Sequence, residues 1–558
     1  MSLPFLLEIG TEEIPDWMIP GALENLKELC AAAIPQIKDA TLDATPRRLV
    51  LRASNVPERQ ADSEELVSGP PKSAPPKAVE GFARKMGVKV EDLKVKVNSK
   101  GEYYTYLRQI EGRKLKDILA EALPGIILKI YFPKTMYWAG KSGPRFIRPI
   151  RWIVALLGDE VIPFELAGVS SGNITAGHRR LGSARIPVGA ADYERKLREN
   201  FVILSASERR QKIEDEIRAF QVRLKPDPAL LETLVYLTEY PTPILGDFDE
   251  QFLALPEEVR ETVMRHHQKY FSVEGRHFVA VMNTSADPEG LVRRGNERVL
   301  RARFNDARFF WETDQHRKLA DRVADLAHVT FQAKLGSYLE KTGRVVELTK
   351  QLGGAAEALR AAELAKCDLT TELVKEFTEL QGVVGGLYAR VQGEPEAVWQ
   401  AIYDHYKPVS MEDSIPRNLA GRLVSVADKL DTLRGCFRVG LIPTGSRDPF
   451  ALRRAAQGIV KVLVEAGLRL PLRKLLEGDR QLEEFVLDRV RFYFKDIRGY
   501  RYDEVNAVLA SGWDDLVDAE ERLSAIQAVR PTENFEPLAA SFKRIRNILR
   551  QAQFAGGG

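Results

Sequence analysis

The chain has 558 residues, 44% of them hydrophobic and 29% charged, which is room for three or four domains with full cores and excludes a disordered or fibrous protein. Its 82 basic and 79 acidic residues leave a net charge of +3 and a pI near 8.5, so bulk charge announces no nucleic-acid partner and any basic surface must come from local clustering. Cys30, Cys367 and Cys436 form no CxxC pair, which excludes a disulfide framework or zinc site and fits a reducing cytoplasm; no apolar stretch approaches the roughly 18 residues of a membrane span.

Residues 3–9 (LPFLLEI) read as a strand ending at Gly10. Pro20 opens a helix through ALENLKELCAAAI, with Leu23, Leu26, Leu29 and Ile34 on one side. Residues 48–54 alternate as a second strand. The intervening GTEEIP sets Glu12 and Glu13 where a helix start favours acids. SGPPKSAPP (68–76) reads as a linker. A short helix (KAVEGFARKMG) is predicted next, then a strand pair turning at Lys100-Gly101 and an amphipathic helix over 115–130. Residues 132–180 are strand-rich. There Lys134, Lys141, Arg145, Arg148, Arg151, Arg179 and Arg180 are interleaved with Tyr137, Trp138, Phe146 and Trp152. That pattern suits phosphate contacts with base stacking, and equally suits strands whose cations are solvated.

Residues 194–224 and 227–239 are predicted helical. RHHQKYF (265–271) gathers cations and aromatics, Lys269 among them; His266 and His267 are adjacent and cannot face one metal from a helix. RRGNERVLRARFNDARFFWETD follows at 293–314. At about 100° per residue, Arg294, Arg298, Arg301, Asn305 and Arg308 share roughly 80° of arc. Val299, Leu300, Ala307, Phe310 and Trp311 take the opposite face. Arg303 falls among these apolar residues, which predicts a buried partner such as Asp306 or Glu312. Alone, this is a core helix with a solvated basic face; the sharper reading is a surface that holds a polyanion.

From His316 onward the pattern is almost entirely helical. IPTGSRD (442–448) breaks it, with Asp448 a good N-cap and Pro449 a good first helical residue. Leu452, Ala455, Ile459, Val462 and Leu463 take one face of that helix, Arg453, Arg454, Gln457 and Lys461 the other. Gly445, Ser446 and Arg447 precede its start, an arrangement that can bind phosphate or simply cap a core helix. A closing helix over 539–552 sets Lys543, Arg546 and Arg550 on one face, before a GGG tail excluded from fold reasoning. No phosphate loop, GxSxG or HExxH motif occurs.

The strings LLEIGTEEIP (6–15), TPRRL (45–49), FIRPIRWIVALLGDEVIPFE (146–165), RHHQKYF, GNERVLRARFNDARFFWETD, KLGSYLEKTGR (334–344), ADKLDTL (427–433) and TGSRDPFALRRAA (444–456) run along the whole chain. In that order they resemble the β subunit of the bacterial heterotetrameric (α2β2) glycyl-tRNA synthetase. The resemblance implies a class II aminoacyl-tRNA synthetase subunit that binds tRNA without adenylating. The α subunit makes glycyl-adenylate with ATP and Mg, leaving no catalytic residue, metal or cofactor on this chain. Implied partners are the α subunit and tRNA-Gly, in a cytoplasmic tetramer joined β to β or through α, away from membranes. Candidate tRNA contacts are Arg294, Arg298, Arg301, Arg308, Lys269, Arg145, Arg447, Arg453 and Arg454. Such chains continue into a helical anticodon-binding domain, which this sequence is expected to lack from about Gln551.

The resemblance also implies a helical HD-type (histidine–aspartate phosphohydrolase-like) domain. Active members hold metal with a His, a His-Asp pair and a later Asp. Here Lys341 stands at the first position, Cys367-Asp368 replaces the pair, Asp428 keeps the last, and His405 is left from an accessory position. An ammonium has no lone pair for a divalent cation, so the domain is expected to be structural. The expected architecture is α+β multidomain. N-terminal α/β and β-rich subdomains come first: a strand–helix–strand unit (1–60), a mixed strand-rich subdomain (61–185) and an α/β subdomain with the basic-aromatic segment (186–315). A degenerate all-helical HD-like domain (316–440) and a mostly helical C-terminal region (441–558) follow. Two rival functions stand beside the ligase reading. One is a metal-dependent HD-type phosphohydrolase, supported by Asp368 and Asp428 and opposed by Lys341 and Cys367. The other is a pure assembly scaffold for the α subunit.

Overall fold

Alternation along the strand Ser2–Thr11 organises the N-terminal part of the protein. The computed structural model describes residues 2–37, 39–98, 101–445, 447–533 and 535–551. It is α+β and multidomain, with two units: 1–250 with 264–300, and 251–263 with 301–558. Ser2–Thr11 lies inside a seven-stranded sheet ordered Glu165–Leu166, Val169–Gly172, Ile150–Leu157, Ser2–Thr11, Arg48–Pro57, Thr41–Thr45, with Glu160–Val161 also beside Ile150–Leu157. Pairing is antiparallel except between Val169–Gly172 and Ile150–Leu157. Phe5, Leu7 and Ile9 face a core shared with the helices Ile19–Ala33 and Leu115–Lys129. Leu6 faces the other way, toward Tyr193 and Leu197 of the helix Tyr193–Glu199.

Glu8 belongs to this second face, where it meets a buried cation instead of a core hydrophobe. Gly10 is paired across the sheet with both Arg48 and Trp152. A Cβ on Gly10 would lie 2.0 Å from the Trp152 ring, so only glycine lets the indole cross the strand. Arg47 and Arg48 each hold a guanidinium 5.5 Å from that ring's centre. Arg48, fully buried, bonds Glu8 at 3.0 Å and Glu239 at 2.9 Å. Thr175 donates to Glu8 and Thr45 to Glu239, each at 2.8 Å. Burial raises the Glu8 carboxyl despite Arg48; at Glu239 burial pushes the same way but loses to Arg48 and Arg47 together, and the carboxyl is lowered.

The expected divisions change. The unit expected at 1–60 is not separate, because a strand buried on both faces needs a neighbour on each edge and Ile150–Leu157 supplies one. The expected linker at 68–76 begins instead as the end of the strand Ser63–Pro71. That strand is an edge of a three-stranded sheet with Gly101–Ile110 and Lys94–Asn98, where prolines cost no ladder bond on the open side. The helix Pro76–Met86 covers one face of this sheet. The single helix expected over 194–224 is two, Tyr193–Glu199 and Ala206–Ala219, since Phe201 turns the chain at φ 58° and Ser205 caps the second helix. A further sheet (Pro241–Asp247, His277–Asn283, Phe271–Ser272) shares its core with the helices Ala206–Ala219 and Pro228–Leu237.

The second unit is helical apart from a ribbon of Thr330–Gln332 and Gly336–Ser337. Its core runs unbroken from Leu319 to Leu523, across the boundary expected at 440. The cause is the helix Leu452–Glu465, which is buried nearly all round and packs on Leu419–Arg438. Lys461, expected on a polar face, is buried with its ammonium 2.7 Å from the Met411 carbonyl. The boundary expected at 315 lies instead within the helix Leu291–Asp314, after Leu300. Among the described residues no helix is long and apolar enough to cross a membrane.

Candidate nucleic-acid interface and the buried lysine cluster

The helix Leu291–Asp314 has the basic face its sequence predicts: Arg294, Arg298 and Arg301 are exposed, with Asn305 beside them. Arg308 is half-buried, bonds Gln251 at 2.7 Å and lies over the Phe252 ring at 5.4 Å, so it also holds the fold together. The buried stripe is Leu300, Phe304, Ala307 and Asp314, flanked by half-buried Trp311, which stacks on Tyr388 at 4.7 Å. Val299, expected to face inward, is 45% exposed, and Phe304 fills the stripe in its place. Arg303 corrects a second expectation. It is half-buried and pairs with Glu376 at 3.3 Å, not with Asp306 or Glu312. Those two are exposed on the same helix, while Glu376 belongs to the helix Glu372–Glu376.

The basic-aromatic stretch divides. Glu12 pairs with Arg151 at 2.8 Å and Arg179 at 2.7 Å, and Arg148 donates to the Glu13 carbonyl at 3.1 Å. Burial is the largest single influence on Glu12 and opposes its charge, but Arg151 and Arg179 together outweigh it and lower its carboxyl. Glu12 and Glu13 thus serve as counter-charges rather than a helix start. Among the described residues Lys134, Lys141 and Arg145 have no such acids, and all three are exposed.

The remaining candidates are dispersed. Lys269 is exposed at φ 60°, its ammonium 3.2 Å from the His266 carbonyl. Asp448 does serve the helix after it, but from outside. Pro449 and Phe450 form a turn, Ala451 takes a φ of 53°, and the helix starts at Leu452. The Asp448 carboxylate accepts from the Leu452 and Arg453 N–H groups at 2.8 and 2.9 Å. It therefore occupies the anion position expected to take phosphate. Arg453 turns its guanidinium to the Gly445 carbonyl at 2.7 Å, while Arg447 and Arg454 are exposed. Ser446 and the side chains of Lys543, Arg546 and Arg550 lie outside the described residues.

In the helical unit, Lys341 and Asp428 do come together. The Lys341 ammonium lies 3.0 Å from Asp428 and 3.0 Å from Asp431, and donates to the Thr432 hydroxyl at 2.9 Å. From the other side, Lys366 pairs with Asp428 at 3.0 Å and meets His405 Nε2 at 2.9 Å. His405 Nδ1 lies 2.6 Å from the Ile402 carbonyl, which must accept its proton, so Nε2 takes the bond from Lys366. Burial, with Lys366 next, lowers His405 well below its ordinary value and keeps it neutral. Burial opposes ionisation of Asp428, but Lys341 and Lys366 overcome it and hold the carboxyl far down.

Cys367 does not replace a metal-binding histidine here: it is buried with its sulfur 3.8 Å from the Glu363 carbonyl, and its neighbour Lys366 reaches the cluster instead. Asp368 accepts from the Gly382 and Gly385 N–H groups, and burial pushes it up to about 6. Lys429, missed in the sequence, is buried against the Lys407 carbonyl (2.9 Å) and the Ser425 hydroxyl (2.7 Å), and burial holds it down at about 7. The signal was available in ADKLDTL: Asp428, Asp431 and Thr432 share one side of the helix, with Lys429 next to them in sequence. The divalent metal of active HD domains does not fit this donor set, because the Lys341 and Lys366 ammoniums flank Asp428, Lys366 also takes His405 Nε2, and a third ammonium, Lys429, is buried against the Lys407 carbonyl. Among the described residues no group of three or more His, Cys, Asp or Glu could hold a metal ion.

A family model for the glycyl-tRNA synthetase beta subunit matches residues 5–510. The glycine–tRNA ligase beta subunit of Acidobacterium capsulatum is 46% identical, over 99% of this chain and 85% of that protein. Those of Trichlorobacter lovleyi and Moorella thermoacetica are each 41% identical, over 99% of this chain and 86% of theirs. With these matches running through both structural units, the chain belongs to the glycyl-tRNA synthetase beta subunit family and is part of a glycine–tRNA ligase.

Proposed function

We propose that this chain is the tRNA-binding, non-adenylating subunit of a cytoplasmic α2β2 glycine–tRNA ligase, working beside an α subunit that forms glycyl-adenylate with ATP and Mg. The observation that carries the reading is family membership across residues 5–510. The exposed Arg294 and Arg298 support it as cations that phosphate can reach. The HD-like domain acts as a structural body: lysines lie where metal chemistry would require lone pairs, which removes the basis for a phosphohydrolase.

The test compares α alone, β alone and the α–β complex in filter binding with tRNA-Gly and in glycine-dependent ATP–pyrophosphate exchange. Exchange is expected of the adenylating partner and not of β alone. Tight tRNA binding is expected only with β, weakening steeply with salt as phosphates release counterions. Affinity that does not depend on β overturns the reading. Arg294→Glu with Arg298→Glu separates it from the scaffold alternative: wild-type tRNA affinity with lost α binding favours the scaffold.

A further inference from the structure

The reading just given leaves open which surface receives the RNA, and the first unit carries one built for an unpaired strand. Between Glu121 and Asp159 the chain contains no aspartate or glutamate, yet it carries Lys129, Lys134, Lys141, Arg145, Arg148 and Arg151. Arg151 is paired with the Glu12 carboxylate, and Arg148 is held by the main-chain carbonyls of Glu13 and Ile147. Among the described residues, Lys134, Lys141 and Arg145 have no acidic partner.

These three surround a short ribbon in which Met136–Tyr137 pairs with Arg145–Phe146. Alternation sends Phe146 inward, where it is 1% exposed with Phe132 at 5.1 Å and Trp138 at 6.3 Å. The same alternation sends Arg145 outward. Directly across the ribbon, Tyr137 is 48% exposed and carries the Arg145 guanidinium 5.1 Å from its ring centre. Arg145 is steadied by the Thr135 carbonyl at 3.3 Å. The connecting loop is held tight at Gly143, where a Cβ would lie 2.7 Å from the Ala139 carbonyl oxygen. Tyr131, in the same acid-free stretch, is 70% exposed.

A buried aromatic anchor therefore presents an outward tyrosine, a guanidinium and two ammoniums with no competing acid. Cations beside an open ring match phosphates alternating with stackable bases, and a base is free to stack on protein only where it is unpaired. We infer that the ribbon at 136–146 binds an unpaired segment of the tRNA, with Tyr137 stacking a base and Lys134, Lys141 and Arg145 contacting flanking phosphates. This rests on the tRNA-binding role proposed above.

The experiment uses the full chain assembled with its α subunit, after the wild-type complex has been shown to bind tRNA-Gly through β. If wild type fails that control, the proposed function and this inference both fall; when it passes, the variants test the ribbon alone. In Lys134→Glu/Lys141→Glu/Arg145→Glu, tRNA affinity should drop at least tenfold and the slope of log K against log salt should flatten by about 2, near 0.7 per lost single-strand phosphate. Tyr137→Ala should weaken binding by about tenfold with the slope unchanged, and Tyr137→Phe should restore it, since stacking needs only the ring. A 12-nucleotide unstructured RNA should feel both changes, and a 12-base-pair RNA duplex should feel neither stacking variant. Wild-type tRNA affinity in the triple variant overturns the inference, as does equal loss of duplex binding in Tyr137→Ala. Loss of α from the complex on gel filtration, with tRNA affinity retained, identifies a protein-docking surface and overturns it as well.

Discussion

Each unit of this protein buries a charge between two charges of opposite sign, and the two clusters are inverse in composition. In the sheet unit a cation, Arg48, lies between Glu8 and Glu239. In the helical unit an anion, Asp428, lies between Lys341 and Lys366. Arg48 is held at fixed angles by partners from distant points of the chain, whereas Asp428 meets two flexible stems that bring further hydrogen bonds to Asp431, Thr432 and His405. The difference teaches what each cluster can shed. Two carboxylates stripped of their cation can be neutralised only by taking up protons; two ammoniums stripped of their anion can be neutralised only by losing them. Charge is retained in both interiors by pairing, and the retreat open to each cluster runs in opposite directions of pH.

Removing the anion should therefore be the harshest test. Asp428→Asn is expected to cost about 3–5 kcal/mol at pH 7, because it leaves Lys341 and Lys366 buried against a neutral amide, and to recover partly at high pH; urea unfolding at several pH values measures it. If Asp428→Asn unfolds at the wild-type midpoint, the cluster is not the centre of the helical unit. Arg48→Met should cost about 3 kcal/mol at pH 8 and progressively less as the pH falls and Glu8, already raised by burial, takes up its proton. A penalty that does not change with pH would break the contrast between the clusters.

Lys429 offers a finer distinction. Its folded value of about 7 lies below the ordinary 10.5, so between these limits the unfolded chain binds more protons and stability rises with pH. Lys429→Met should flatten the rise in thermal midpoint from pH 7 to 10; an unchanged slope would assign it to other groups. The smallest effect is expected at Glu12→Gln. This pairing with Arg151 and Arg179 is largely solvent-exposed, and its loss should change stability by about 0.5 kcal/mol or less in the same urea assay. A loss of several kcal/mol would place Glu12 with the buried clusters instead.

What the sequence disclosed follows from how local the deciding physics is. The strand at LPFLLEI, the helix after Pro20 and the basic face of Leu291–Asp314 are set by neighbours within a few residues, and they are found where periodicity puts them. SGPP was misread because whether a proline is tolerated depends on an open sheet edge, which no local pattern reveals. Arg303 has its partner 73 positions away at Glu376, beyond any helical spacing. At the HD positions, matching strings put Cys367 in line with a histidine, yet adjacent residues point to different sides of a turn and Lys366 is the one that arrives. The division of the basic stretch into engaged and open cations depended on Glu12 and the Glu13 main chain, more than 130 residues away, and became legible only in three dimensions.

The missing side chain at Gly10 has a consequence for light. Because Trp152 crosses the strand there, one of the chain's six indoles rests against Arg47 and Arg48, the second of which is paired with Glu8. The emission of that indole is a native optical gauge: it changes when Glu8 exchanges its proton or when residues 8, 48 and 239 separate. The spectrum of wild type minus Trp152→Phe isolates this signal, so the assembly of the sheet unit can be watched without attaching a dye.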